Sequence, residues 1–164
     1  MRNRNLRVLG INPGARHLGY AFFQNSELRD WGVKCLKGKW TNEKRKKIER
    51  LSQDFLDKFQ PDCLAIKKLN SARSSPELNK QTAKLKELCR KRNVPVYEYP
   101  LKYLEKAILT ERMNKRKLVE SLVEQYPILF PESEKEKANK NSYHTRMFEA
   151  VALAHICFNQ LDNQ

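Results

Sequence analysis

Apolar and polar positions along this chain change their spacing several times, and each change marks an element. Leu6 to Ile11 is a short apolar run that stops at Asn12-Pro13-Gly14, a strand giving way to turn residues. Gly19 to Gln24 and Leu28 to Leu36 read as two further strands, and Asn25-Ser26 between them suits a tight hairpin. Three strands in such close succession predict an antiparallel meander.

The spacing then lengthens. Ile48, Leu51, Phe55 and Leu56 share one face of a helix expected from Glu43 to Phe59, with Thr41 or Asn42 as its cap. Cys63 to Ile66 is a compact buried strand, and Ser71 to Pro76 is a polar, exposed loop. Leu78 to Arg92 follows as a helix with a Lys-rich outer face, then Val94 to Tyr99 as a fifth strand closed by Pro100. Leu101 to Leu109 and Lys115 to Gln125 read as helices separated by a basic turn. Glu132 to Ser142 is charged and poor in apolar residues, which predicts a mobile loop, and Phe148 to Leu161 closes the chain as a helix. Alternation of strands and helices after a meander calls for an α/β fold, a mixed sheet of five strands with helices on both faces.

A length of 164 residues suits one compact domain, residues 1–164. Thirty-three Lys and Arg against nineteen Asp and Glu leave a net charge of +14, whose self-repulsion is best explained by a polyanionic partner. The basic residues are spread over several segments rather than along one amphipathic helix, which disfavours a membrane surface. No apolar run approaches the roughly 18 residues needed to span a bilayer. Met1-Arg2-Asn3-Arg4-Asn5 leads straight into the first strand without a signal-peptide core, so a cytoplasmic location is expected. Cys35, Cys63, Cys89 and Cys157 are widely spaced, which argues against a zinc site and for reduced thiols, with Cys63 and Cys157 in the core.

The first strand ends in Gly10-Ile11-Asn12-Pro13-Gly14, and Gly19 follows. Gly14 and Gly19 permit a sharp reversal and close backbone approach. This segment resembles the G-I-D-P-G strand of RuvC-type Holliday-junction resolvases, with Asn in place of Asp. Leu64-Ala65-Ile66-Lys67 resembles that family's A-I-E strand, and Val94-Pro95-Val96-Tyr97-Glu98-Tyr99 its P-V-x-E-Y strand. Asn114-Lys115-Arg116-Lys117-Leu118-Val119 is similar to a Lys-containing segment before a helix. Glu149-Ala150-Val151-Ala152-Leu153-Ala154-His155 is similar to the D-A-x-A-x-A segment of the last helix. Five blocks in the family's order imply an RNase H-like, RuvC-type fold, and a homodimer.

What the resemblance implies chemically is metal-assisted phosphodiester hydrolysis, in which carboxylates hold Mg²⁺ ions that activate water. The acids are largely missing here. Asn12 and Lys67 stand at two of the matching positions, Arg146 at a third and Glu149 at the fourth, the one carboxylate that remains as a possible metal ligand. Asp to Asn and Glu to Lys together change the local charge by about +3, and a unit charge about 4 Å away is worth roughly 4 kcal/mol at an effective dielectric of 20. Mg²⁺ is therefore expected to be absent or weakly held, with Lys67 free to pair with Glu149 in its place. The chain is expected to cut DNA very poorly or not at all. Should Lys68 face the site instead, the loss of charge balance would be similar.

Blander readings exist for each residue. Asn12 alone suits an Asx turn, Lys67 and Lys68 a solvated strand end, and Glu149 a surface acid. His17, His144 and His155 are too scattered for a metal cluster, and Glu98 is disfavoured as a replacement ligand because the matching strand is acidic there anyway. The expected DNA contacts are Arg16, Arg73, Lys84, Arg90, Arg112, Lys115, Arg116 and Lys117, which would position phosphates without reading sequence. Asn70 stands where some members carry an aromatic near the start of the junction-facing loop. The leading expectation is binding of branched or four-way-junction DNA, and the rival is an active Mg²⁺-dependent junction endonuclease. A third reading, a nucleotide-binding fragment, comes from the likeness of the G-x-N-P-G turn to the first phosphate loop of sugar-kinase and actin-like ATPases.

Overall fold

In the computed structural model, residues 5–100, 102–104, 115–138 and 143–163 are described. β1 (Arg7–Asn12), β2 (His17–Gln24) and β3 (Glu27–Cys35) form the meander, which turns at Asn25 with a left-handed φ of 56°. α1 (Asn42–Phe59) leads to β4 (Cys63–Lys67), then α2 (Pro76–Lys91) and β5 (Val96–Tyr99). After residues outside the described range come α3 (Lys115–Gln125), a short 3-10 turn, α4 (Phe130–Ala138) and α5 (Tyr143–Asp162).

The strands lie in the order β3-β2-β1-β4-β5. β1 is antiparallel to β2 and parallel to β4, and β4 is parallel to β5. Strand alternation divides the core into two layers. Leu9 and Ile11 of β1 and Leu64 and Ile66 of β4 pack with Ile48, Phe55 and Leu56 of α1 and Leu85 of α2. Val8, Cys63 and Ala65 face the other way and pack with Phe148, Val151 and Ala152 of α5. Position 67 shares the parity of Cys63 and Ala65, so the fold itself aims Lys67 rather than Lys68 at α5.

Two glycines let α5 lie directly on the sheet. A Cβ on Gly10 would collide with the Ala150 carbonyl, and one on Gly19 with the Arg146 carbonyl. The chain reverses between β1 and β2 as expected, but neither Gly14 nor Gly19 adopts positive φ, so glycine serves close approach there rather than a left-handed backbone.

The helix boundaries follow their caps. The Thr41 hydroxyl accepts from Lys44 N at 3.1 Å, and Ser75 Oγ accepts from Leu78 N at 3.2 Å. With Ser75 as cap and Pro76 opening the helix, α2 begins two residues before the apolar spacing indicates. The segment expected to be a mobile loop, Glu132 to Ser142, is helical as far as Ala138, and 139–142 lie outside the described residues. Its acids have partners that composition does not reveal. Thr145 Oγ1 donates to Glu136 Oε1 at 2.7 Å, and His144 Nε2 faces Glu132 Oε2 at 3.4 Å. These acids also sit beside the positive end of α5, which begins at Tyr143, five residues earlier than its apolar stripe suggests. Of the helix expected over Leu101–Leu109, residues 102–104 are helical and the rest lies outside the described range.

Candidate functional site

β1, β4 and α5 converge on one pocket. Asn12 ends β1 opposite Gly19, Lys67 ends β4, and Glu149 lies in the first half of α5. Asn12 Nδ2 donates to Glu149 Oε2 at 3.0 Å, and Lys67 Nζ donates to the same oxygen at 3.4 Å. The amide also donates, over a longer 3.4 Å, to the Arg146 carbonyl. Asn12 is fully buried, while the side chains of Lys67 and Glu149 are 22% and 13% exposed. The carboxylate fixes the orientation of the amide, because a flip would set two oxygens against each other. Asn12 Oδ1 is left buried with no hydrogen-bond partner among the described residues.

Arg146 sits one turn before Glu149. Its Nη1 donates to the Pro13 carbonyl at 3.2 Å, and its Cζ lies 2.9 Å from where a Cβ on Gly14 would stand. The glycine thus makes room for a guanidinium at the edge of the pocket.

These donors do not fit a pair of divalent ions. Mg²⁺ demands anionic oxygens in near-octahedral array. Here a neutral amide and an ammonium both point N–H groups at the pocket's carboxylate, and a second cation, Arg146, stands beside it. Among the described residues, no group of three or more His, Cys, Asp or Glu side chains is placed to hold a metal. Glu98 does not join the pocket; it pairs with Lys86 on α2.

Those of the expected DNA-contacting residues that are described lie on several different elements. Arg16 is exposed on the β1–β2 turn, and Arg73 is exposed in the turn between β4 and α2. Lys84 pairs with Glu49 at 2.8 Å, Arg90 with Glu87 at 2.6 Å and Arg116 with Glu120 at 3.0 Å. Lys117 is half-buried on α3, whose first residue is Lys115, and Arg112 lies outside the described residues.

Two features of the site escape the sequence pattern. Lys44, within a basic run that reads as a solvated helix face, is buried, and its Nζ donates to Ala15 O at 2.8 Å and Gly38 O at 2.9 Å. Helical spacing contains the signal, since position 44 precedes Ile48 by four residues on the apolar stripe. His17 stacks edge-on against Tyr143 with ring centres 5.2 Å apart, joining the β1–β2 turn to the start of α5. The remaining histidines are structural: His144 as described, and His155 through Tyr126, whose hydroxyl lies 2.5 Å from Nδ1.

Comparison with known proteins bears on this geometry. The family model for the crossover junction endodeoxyribonuclease RuvC matches residues 8–141. The RuvC of Sodalis glossinidius is 25% identical over 123 residues, 71% of each chain. Thermus thermophilus RuvC has the same fold, with a TM-score of 0.74 and 18% identity over 96% of this chain and 97% of that one. The yeast mitochondrial Holliday junction resolvase Ydc2 also matches, with a TM-score of 0.69 and 17% identity over 97% of this chain and 81% of its own. With the mixed five-stranded sheet and the convergence of β1, β4 and α5 in place, the chain belongs to the RuvC family of Holliday junction resolvases.

Proposed function

We propose that this RuvC-family protein binds branched DNA, four-way junctions above all, and holds the strand without hydrolysing it. RuvC resolvases are metal-dependent nucleases, generally using Mg²⁺. The observation that carries the reading is the contact of Lys67 and Asn12 with one oxygen of Glu149. An ammonium and an amide thereby satisfy the carboxylate that would otherwise recruit a cation.

The same substitution suits phosphate binding. Lys67 spends one N–H on Glu149 and has two more to offer, and its side chain is open enough to reach a ligand. Arg146 places one Nη1 hydrogen on Pro13 O and retains other donors of its planar fork. A phosphodiester at the pocket would meet two cations in the place of two metals. Charge-assisted hydrogen bonds of this kind position the backbone and carry no base information. Thermus thermophilus RuvC has been seen in complex with a Holliday junction substrate, which supports the choice of DNA. A homodimer would present two such pockets to the two symmetric strands of a junction.

Fluorescence anisotropy on four-way, forked and linear DNA of equal length, across a salt series, tests the reading. The expected result is tightest binding of the four-way form at every salt concentration. Equal affinity for linear duplex would remove the claim of branch preference, and steady Mg²⁺-dependent nicking would favour the rival, an active endonuclease.

A further inference from the structure

We propose a second phosphate site, distinct from the Lys67 pocket, in the concavity lined by Arg16, His17, Lys37, Gly38 and Lys39; it takes further backbone phosphates of the DNA held at Lys67. The proposal rests on the DNA-binding reading above and locates where much of the unspent positive charge acts.

Many cations of the described chain are matched by a carboxylate, as with Lys84 and Glu49, Arg92 and Asp57, or Lys58 and Asp30. Exposed pairs of this sort project little net field. Arg16, Lys37 and Lys39 have no carboxylate partner among the described residues, and all three are exposed. No acid and no large apolar side chain lines the concavity, which suits a phosphodiester better than a lipid surface.

The walls of the concavity are also held in place. Leu36 N donates to Arg16 O at 2.7 Å, tying the β1–β2 turn to the segment between β3 and α1. Lys44 braces both walls from beneath through Ala15 O and Gly38 O. Those two carbonyls, which would repel a phosphate, are thereby occupied, and a buried ammonium with no carboxylate partner among the described residues is set close behind the site. Its Nζ lies 4.3 Å from the Trp40 ring centre, a further fixed contact. Gly38 has a φ of 100° and open space within 4 Å of where a Cβ would project, so the backbone there is open to a ligand.

The local field has one sign. Burial, followed by the charges of Arg146, Lys37 and Arg16, holds the His17 imidazole below its ordinary pKa, and no carboxylate offsets them. Arg146 belongs to both places, since its guanidinium borders the Lys67 pocket through Pro13 and its field reaches His17. A strand held at Lys67 therefore has a positive path toward the concavity.

The test compares two triple variants on the same four-way junction between about 50 and 200 mM salt. Arg16→Gln, Lys37→Gln and Lys39→Gln together should lower the slope of log affinity against log salt by about 2 to 3, since each phosphate that is no longer neutralised removes about 0.9. Affinity at mid-range salt should fall about tenfold or more. Arg29→Gln, Lys58→Gln and Lys137→Gln remove equal charge from ion-paired positions elsewhere and should leave the slope within about 1 of the parent. The pair Lys37→Gln with Lys39→Gln, at two exposed positions, repeats the measurement with an expected fall of about 2. An unchanged slope in the first triple, or an equal fall in both triples, overturns the second site while leaving DNA binding intact. Failure of the parent protein to bind any DNA overturns both readings together.

Discussion

Lys67 and Glu149, 82 residues apart, meet through Nζ and Oε2 at 3.4 Å where β4 runs beneath α5. Asn12 donates to the same oxygen, so the pocket contains its own counterion. The charge of the Glu149 carboxylate is balanced by Lys67 without an external cation. Three elements of an RNase H-like scaffold thus converge on a carboxylate already met by an ammonium and an amide.

Rebuilding the acids should undo that arrangement. Asn12→Asp with Lys67→Glu shifts the local charge by about −3, and a unit charge about 4 Å away is worth roughly 4 kcal/mol at an effective dielectric of 20. The expected outcome is Mg²⁺-dependent nicking of a four-way junction at least about 100-fold faster than the parent chain. Asn12→Asp alone should gain far less, because Lys67 would pair with the new carboxylate. Denaturing electrophoresis of labelled junction strands reads both variants, and an inactive double variant would show that more than the acids has been lost.

Lys67 and Glu149 should be energetically coupled. Truncating one partner leaves the other partly buried and unpaired, so Lys67→Met and Glu149→Gln should each cost about 1–3 kcal/mol. The two together should cost about 1–2 kcal/mol less than their sum. Urea unfolding of the parent, both single variants and the double variant measures the coupling; strict additivity would mean that the pairing is energetically empty.

The glycine in β2 is expected to be a packing requirement. A Cβ at position 19 would enter the Arg146 carbonyl, and backbone cannot swing aside as a side chain can. Gly19→Ala should destabilise the protein by about 1–3 kcal/mol, lowering the melting midpoint by about 2–4 °C for each kcal/mol. Calorimetry of the variant is the direct check. A melting point equal to the parent's would show that α5 has slack against the sheet.

Thiol accessibility follows from the core. Cys35 is exposed, while Cys63, Cys89 and Cys157 are buried. The hydrogen bond that the Cys63 thiol makes to the Cys157 sulfur, followed by burial, pushes Cys63 up, with the sulfurs 3.8 Å apart, and burial pushes Cys89 up to about 11. At neutral pH the folded protein should therefore react with an aromatic disulfide reagent at Cys35 quickly and at the other three positions only on unfolding. Raising the pH toward about 9, near the ordinary thiol range, should leave Cys89 slow, because burial holds its thiol protonated there. Rapid reaction at Cys63 or Cys157 would contradict the packing of α5 on β4, and rapid reaction at Cys89 the packing of α2 on the sheet.

Much of the fold is legible in the residues, for a physical reason. Strand alternation is strict, so a match at Leu64-Ala65-Ile66-Lys67 fixes which face position 67 occupies once Cys63 and Ala65 are known to be core. Polar partnerships across the fold are not legible. Nothing local to Glu132 and Glu136 reveals that His144 and Thr145 await them, and a segment that reads as a loop is largely a helix. Lys44 is hidden by its neighbours, since a run of four basic residues looks solvated even when one of them lies on the apolar stripe. Ion pairing is equally invisible: Lys84 and Glu49 are 35 residues apart and meet because α1 and α2 are neighbours.

Junction binding measured with and without divalent metal tests the central claim most directly. The same labelled four-way junction is titrated with the parent protein in Mg²⁺ and in EDTA, and the strands are then resolved on a denaturing gel. With Lys67 serving as the pocket's cation, the affinity in EDTA should match that in Mg²⁺ within about threefold at equal ionic strength, and every strand should remain intact. Binding that collapses on chelation, or strands cut symmetrically about the crossover in Mg²⁺, would contradict the account.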